Sequence, residues 1–184
     1  MRSRKDIGTA IRPEGEYEPG EVVLYGQKNE AWKDDKLGTS VYAMGGSGCL
    51  TTCISSALST EHEQTGRGTG GSPGELNELF GEYQVYNESG DIVWARLKEA
   101  VPGIEVMVAS SVENKEIEEL LSKGHYPIVK VKVGGGGAGH WVLVVGSRDG
   151  EYLCMDPLSE NGELVPLSRH GGVAYRMRCV YWQE

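Results

Sequence analysis

"GGSGCLTTCISSAL", residues 45–58, places two cysteines four positions apart, behind a glycine-rich approach and at the head of an apolar segment. Small or apolar side chains at Cys49, Leu50, Cys53, Ile54, Ala57 and Leu58 follow the i, i+1, i+4, i+5 spacing of one helix face. The stretch therefore reads as a helix beginning at Cys49. A thiol there can be a packing group, a metal ligand, half of a disulfide or a nucleophile. A helix N-terminus presents unpaired N–H groups and a positive dipole end, and both favour a thiolate. Cys53, one turn deeper, faces the core. Two cysteines on one helix face are awkward to bridge, and Cys-x3-Cys with one distant histidine lacks the paired spacings of common zinc sites, so no metal is expected.

On either side of this helix the chain divides by character. "TEHEQTGRGTGGSPGE" reads as an exposed loop, and Pro73 opens a helix through Phe80. "DIVWARLKEA" is a short helix, "IEVMVAS" a strand, and "SVENKEIEELLSKG" a helix with a serine N-cap and a glycine stop. After Gly124 come "YPIVKVKV", "HWVLVVGS", "EYLCMDP", "GELVPLS" and "GVAYRMRCVYW", strand-like runs between glycine-rich turns. Helices first and strands after predict an α+β fold with a mostly antiparallel sheet. Cys154 and Cys179 fall in strands and read as buried thiols. Residues 1–20 show little periodicity and read as a strap or disordered tail, leaving 21–184 as one folded domain.

Charge removes several classes of function. The net charge is −9, with no basic cluster beyond Arg2–Lys5, so no nucleic-acid partner is expected. No apolar run approaches membrane-spanning length, and the N-terminus lacks the apolar core of a secretory signal. A cytoplasmic location is the default expectation. The glycine run at 134–137 is not followed by Gly-Lys-Ser/Thr and is no phosphate loop. It reads as a mobile segment that leaves room at a cleft, and no cofactor is implied.

Of four histidines, His62 falls in the charged loop, His125 follows a helix stop, and His170 lies in "SRHGG", a turn. His140 opens the apolar strand "HWVLVVG". Sixteen residues later Asp156 ends the next strand, a separation that suits two adjacent antiparallel strands. A carboxylate beside the imidazole would fix its tautomer and stabilise its charged form. Direct opposition of the two requires a hairpin centred on Arg148, with an odd-length loop and a bulge or positive φ at Gly150. A diagonal contact survives a shifted register. An imidazole within reach of Cys49 would complete a thiolate–imidazolium pair. Gln27, in "YGQKNEAW", could join the Cys49 N–H as a donor to a developing oxyanion.

Taken together, "YGQKNEAW", "GGSGCLTTCISSAL", "SPGELNELF", "DIVWARL", "GHYPIVKVKV…GHWVLVVG" and "YLCMDPL" resemble the papain-like cysteine peptidases of the bacterial double-glycine (bacteriocin-processing) group. The likeness runs from about Val22 to Trp182. It implies a helical half led by the nucleophile helix and a sheet half carrying the base. It implies Cys49 as nucleophile, His140 as general base and acid, Asp156 as its orienting partner and Gln27 at the oxyanion. Leu50, Gly139 and Trp141 would line the cleft for a peptide or protein substrate. Leu50-Thr51-Thr52 replaces the small triplet usual after the cysteine, and Cys53 a usual alanine. Two other readings share these residues: a silent peptide-binding module of the same fold, and a thiol amidase or transamidase acting on cell-wall peptides. The oligomeric state is not legible in the sequence.

Overall fold

The structure is a computed structural model that describes residues 7–184. Of the tail expected over 1–20, residues 1–6 lie outside the described part. Residues 7–20 run along the sheet half. Their short strand β1 (Thr9–Ala10) pairs with β7 (Val173–Ala174), Ile11 is buried, and Tyr17 bridges to Ser147.

The helical half begins with a single turn, α1 (Met44–Ser47), followed at once by α2 (Cys49–Thr65). Then come α3 (Pro73–Glu82) and α4 (Trp94–Ala100). Helix α3 starts where the sequence places it, on a Ser72/Glu75 capping box with Pro73 in the first turn. Helix α5 (Asn114–Ser122) follows β2 (Ile104–Ala109). The expected serine does not cap it. Its N-cap is Glu113, with no side-chain cap bond, and Val112 is drawn into the core just before the first turn.

The sheet half contains β3 (Pro127–Lys132), β4 (Gly139–Arg148), β5 (Glu151–Met155), β6 (Leu164–Pro166) and β8 (Arg176–Trp182). With β2 they form one sheet in the order β2-β8-β3-β4-β5-β6, antiparallel at every pairing. Helix α2 lies across β4 and β8. The class is α+β, with a helical half led by the Cys49 helix packed on an antiparallel sheet.

Helix α2 is longer and more deeply buried than its sequence suggests. The segment read as an exposed loop from Thr60 continues as helix to Thr65, and every residue from Thr51 to Glu61 is buried. Several of its hydroxyls replace water with backbone partners. Ser55 and Ser59 donate to the Gly71 carbonyl, Ser56 donates to the Val23 carbonyl, and Thr60 accepts the Val23 N–H. A buried polar group that is hydrogen-bonded loses little of its water-exposed stability, and each such bond contributes about 1 kcal/mol net. The small polar residues thus fasten the crossing chain to the helix.

The β4–β5 hairpin differs from expectation in its turn. Arg148 pairs with Glu151 across a two-residue loop, Asp149-Gly150, in which both residues have positive φ. The odd-length loop is absent. The register shifts instead between Val144 and Gly146, where a bulge bends β4. Beyond it, Val144 faces Cys154 and Leu143 faces Met155. That register carried forward sets Val142 against Asp156, so His140 is one diagonal step away and not directly opposite.

Candidate active site

Cys49 is the first residue of α2 and is partly exposed. It lines a cleft of about 580 Å³ together with Leu50, Gly139 and Trp141, and with side chains of both halves, including Tyr86, Trp94 and Arg178. Cys53 is fully buried, and its thiol donates to the Trp141 carbonyl at 3.6 Å. Burial pushes the Cys53 thiol well up, and the nearby Cys49 and Asp156 add to it. One helix therefore carries one accessible sulfur and one sealed sulfur a turn apart.

His140, at the start of β4, is buried, and its Nε2 lies 2.7 Å from Asp156 Oδ1. With Nε2 engaged, Nδ1 is the nitrogen left for the Cys49 thiol. Burial works to lower the imidazole. Its hydrogen bond with Asp156 and the influence of the Cys49 sulfur outweigh that and raise it from 6.5 to about 9. Burial works against the Asp156 charge too. Hydrogen bonds from His140, from His170 and from the Leu158 N–H outweigh it and hold the carboxyl well below the usual carboxylate range. The bond to Leu158 also makes Asp156 the pivot of the turn that ends β5.

The sequence places His170 only in a turn and gives it no partner. It is buried at the end of a short 3-10 turn, residues Leu167–His170, and its Nε2 lies 2.8 Å from Asp156 Oδ2. The Gly134 N–H donates to its Nδ1 at 3.1 Å. Nδ1 is therefore the acceptor and Nε2 carries the proton that Asp156 receives. The glycine run expected to be mobile is a closed turn. Gly137 N–H donates to Val133 O, Val133 N–H donates to Ala138 O, and the Gly135 backbone lies against Gly171. A Cβ at Gly171 would come within 3.0 Å of the Gly135 Cα, and both residues have positive φ, so this approach requires glycine on each side. The only sequence signal for His170 was that pair of glycine runs, one in each turn, and neither alone names a partner.

His140, Asp156 and His170 have ligand atoms within 4.8 Å of one another, close enough to suit a cation. As arranged here, each Asp156 oxygen is hydrogen-bonded to an imidazole nitrogen, and a cation would have to displace those bonds.

Gln27 is buried. Its Nε2 donates to the Gly45 carbonyl at 3.0 Å, and its Oε1 has no partner among the described residues. One amide hydrogen remains uncommitted to Gly45. The residue thus stands behind the glycine approach to Cys49, tied to it by the chain.

No protein-family model matches the chain, and no curated protein matches it. Among solved structures it is similar to a Bacillus anthracis protein described as a candidate C39-like peptidase, at 11% identity and a TM-score of 0.49, covering 87% of this chain and 97% of that one. It is also similar to the peptidase domain of Streptococcus ComA, a bifunctional ABC transporter involved in a quorum-sensing pathway, at 17% identity and a TM-score of 0.46, covering 73% and 93%. At these values neither likeness assigns a chemistry to this chain.

Proposed function

We propose that the protein is a cysteine peptidase that cleaves a peptide or amide bond through an acyl-enzyme on Cys49. The observation that carries this is the order sulfur, imidazole, carboxylate, with the sulfur lining an open cleft, the other two buried, and His140 raised to about 9 by its two neighbours. Such an imidazole is protonated at neutral pH and stabilises a thiolate beside it. The Cys49 sulfur attacks the carbonyl carbon, and the developing oxyanion takes the Cys49 N–H, which has no acceptor of its own in the first helical turn. Gln27 Nε2 supplies the second donor with its remaining hydrogen. His140 then protonates the leaving amine and, once neutral, takes a proton from water for deacylation. Asp156 keeps the ring oriented, and His170 holds Asp156.

The test is alkylation by iodoacetamide at mildly acidic pH, followed by mass spectrometry of each cysteine. Cys49 is expected to react much faster than a free thiol, while Cys53, Cys154 and Cys179, all buried, serve as unreactive controls. Alkylation of Cys49 at an ordinary thiol rate, together with unchanged hydrolysis by Cys49→Ala, would refute the reading.

A further inference from the structure

The cleft wall contributed by the sheet carries a cation that the proposed chemistry does not use. Lys130 faces Trp141 on β4 and Arg176 on β8, so the three form one row across the sheet. Arg178, two residues further along β8, shares that face. Lys130 and Arg176 have partners of their own. Arg178 is placed differently. Its guanidinium lies by two indoles, 5.6 Å from the Trp94 ring and 5.4 Å from the Trp141 ring. Nη1 donates to the carbonyls of Ala109 and Met177. Nε is buried with no acceptor, and no carboxylate pairs with Arg178 among the described residues.

An arginine keeps its charge in a protein, so this is a half-buried cation neutralised only by two carbonyl dipoles and two ring faces. Its surroundings penalise it, since burial lowers it and the Arg176 charge adds to that. Nη1 is committed to the two carbonyls and Nε is buried, so Nη2 is the nitrogen that remains for a ligand in the cleft. A carboxylate has the complementary charge and accepts charge-assisted hydrogen bonds from a guanidinium. Asp91 is the one acidic side chain lining the cleft among the described residues, so the lining is cationic although the chain carries −9 overall.

We infer that Arg178 is a specificity-determining residue that receives a substrate carboxylate in the cleft beside Cys49. The inference rests on the cleft being the peptide site. An acidic side chain and a free C-terminus both supply a carboxylate, and the experiment separates them.

Fluorescein-labelled hexapeptides are titrated against Cys49→Ala by anisotropy at low salt, a readout that needs no turnover. One set is amidated with a single glutamate at each position in turn, the second has glutamine in its place, and the third is the glutamine set with a free C-terminus. We expect one register, or the free C-terminus, to bind about tenfold tighter than its neutral counterpart. Arg178→Met in the same background is expected to abolish that margin, and Arg178→Lys to retain part of it. Circular dichroism and thermal melts of both variants establish that they are folded. Equal affinity of acidic and neutral peptides, no binding of any of them, or a margin that survives Arg178→Met in folded protein overturns the inference. The iodoacetamide result for wild-type Cys49 stands apart from this outcome, so a cleft that hydrolyses peptides without an acidic preference sinks the inference and leaves the peptidase reading intact.

Discussion

Helix α2 is anchored to the sheet at both ends by a carboxylate, an imidazole and a thiol, and the two ends behave differently. At the front, His140 stands between the Cys49 sulfur and Asp156. At the rear, Glu61 Oε1 pairs with His125 Nδ1, Oε2 accepts the Trp182 N–H at 2.8 Å, and the His125 ring stacks on Tyr181 at 3.8 Å. The thiol nearby is Cys179, fully buried; burial pushes it up, and the Glu61 charge adds to the effect. At the front the imidazole is raised by both the sulfur and the carboxylate. At the rear the imidazole is turned to the carboxylate and Tyr181, and the thiol is buried with no path to solvent. Group inventory does not distinguish a reactive constellation from a structural tie. Order and access do.

That contrast is breakable by mutation. The largest effect is expected at the front, where Cys49→Ala or His140→Ala lowers kcat/KM on any cleaved peptide by about 10³-fold or more, and Cys49→Ala does so while leaving the melting temperature near wild type. At the rear, Glu61→Ala does the reverse. It strands the half-buried His125 and the buried Trp182 N–H, so unfolding free energy falls by about 3 kcal/mol in urea titration, and the folded fraction still alkylates at Cys49 at the wild-type rate. A Glu61 variant that folds normally but loses Cys49 reactivity would erase the distinction between the two ends.

A smaller effect separates holding from reacting. His170→Asn removes the Asp156 Oδ2 partner without touching sulfur or substrate. It is expected to lower kcat by about tenfold with KM little changed, and to move the His140 midpoint below about 9 in NMR titration. A loss of kcat with no movement of that midpoint would show His170 to be packing alone.

The smallest effect is in pH dependence. His140 is raised in the fold, so its share of stability is complete below 6.5 and is lost as pH rises through about 9. Asp156 is depressed, so its share is present above 3.8 and is lost only as pH falls through its lowered value. The His140–Asp156 hydrogen bond contributes to both, and urea midpoints are expected to be flat through neutral pH and to decline at each end. In Cys49→Ala the alkaline decline should begin at lower pH, because the sulfur no longer helps to raise the ring.

Much of the fold is written locally. The helix from Cys49, the Pro73 helix and the strand runs after Gly124 follow from periodicity, caps and glycine stops. The extension of α2 to Thr65 was hidden because "TEHEQT" is polar, and polarity reads as solvent exposure unless partners are known. Those partners, His125 and the Trp182 N–H for Glu61, lie 64 and 121 residues away. The hairpin turn was misread for a related reason. A bulge at Val145 changes which residues face each other, and no local residue announces it.

By itself the sequence determined the class of the fold, the sulfur at a helix start, and the histidine and aspartate on neighbouring strands, since each depends on spacing and neighbours within one segment. Tertiary structure alone decided that Asp156 is shared by a second imidazole, that Glu61 is buried, and that Arg178 stands by two tryptophans with no carboxylate partner among the described residues. These are meetings of distant segments, fixed by how sheet and helices pack, and backbone periodicity carries no record of which side chain will be opposite which.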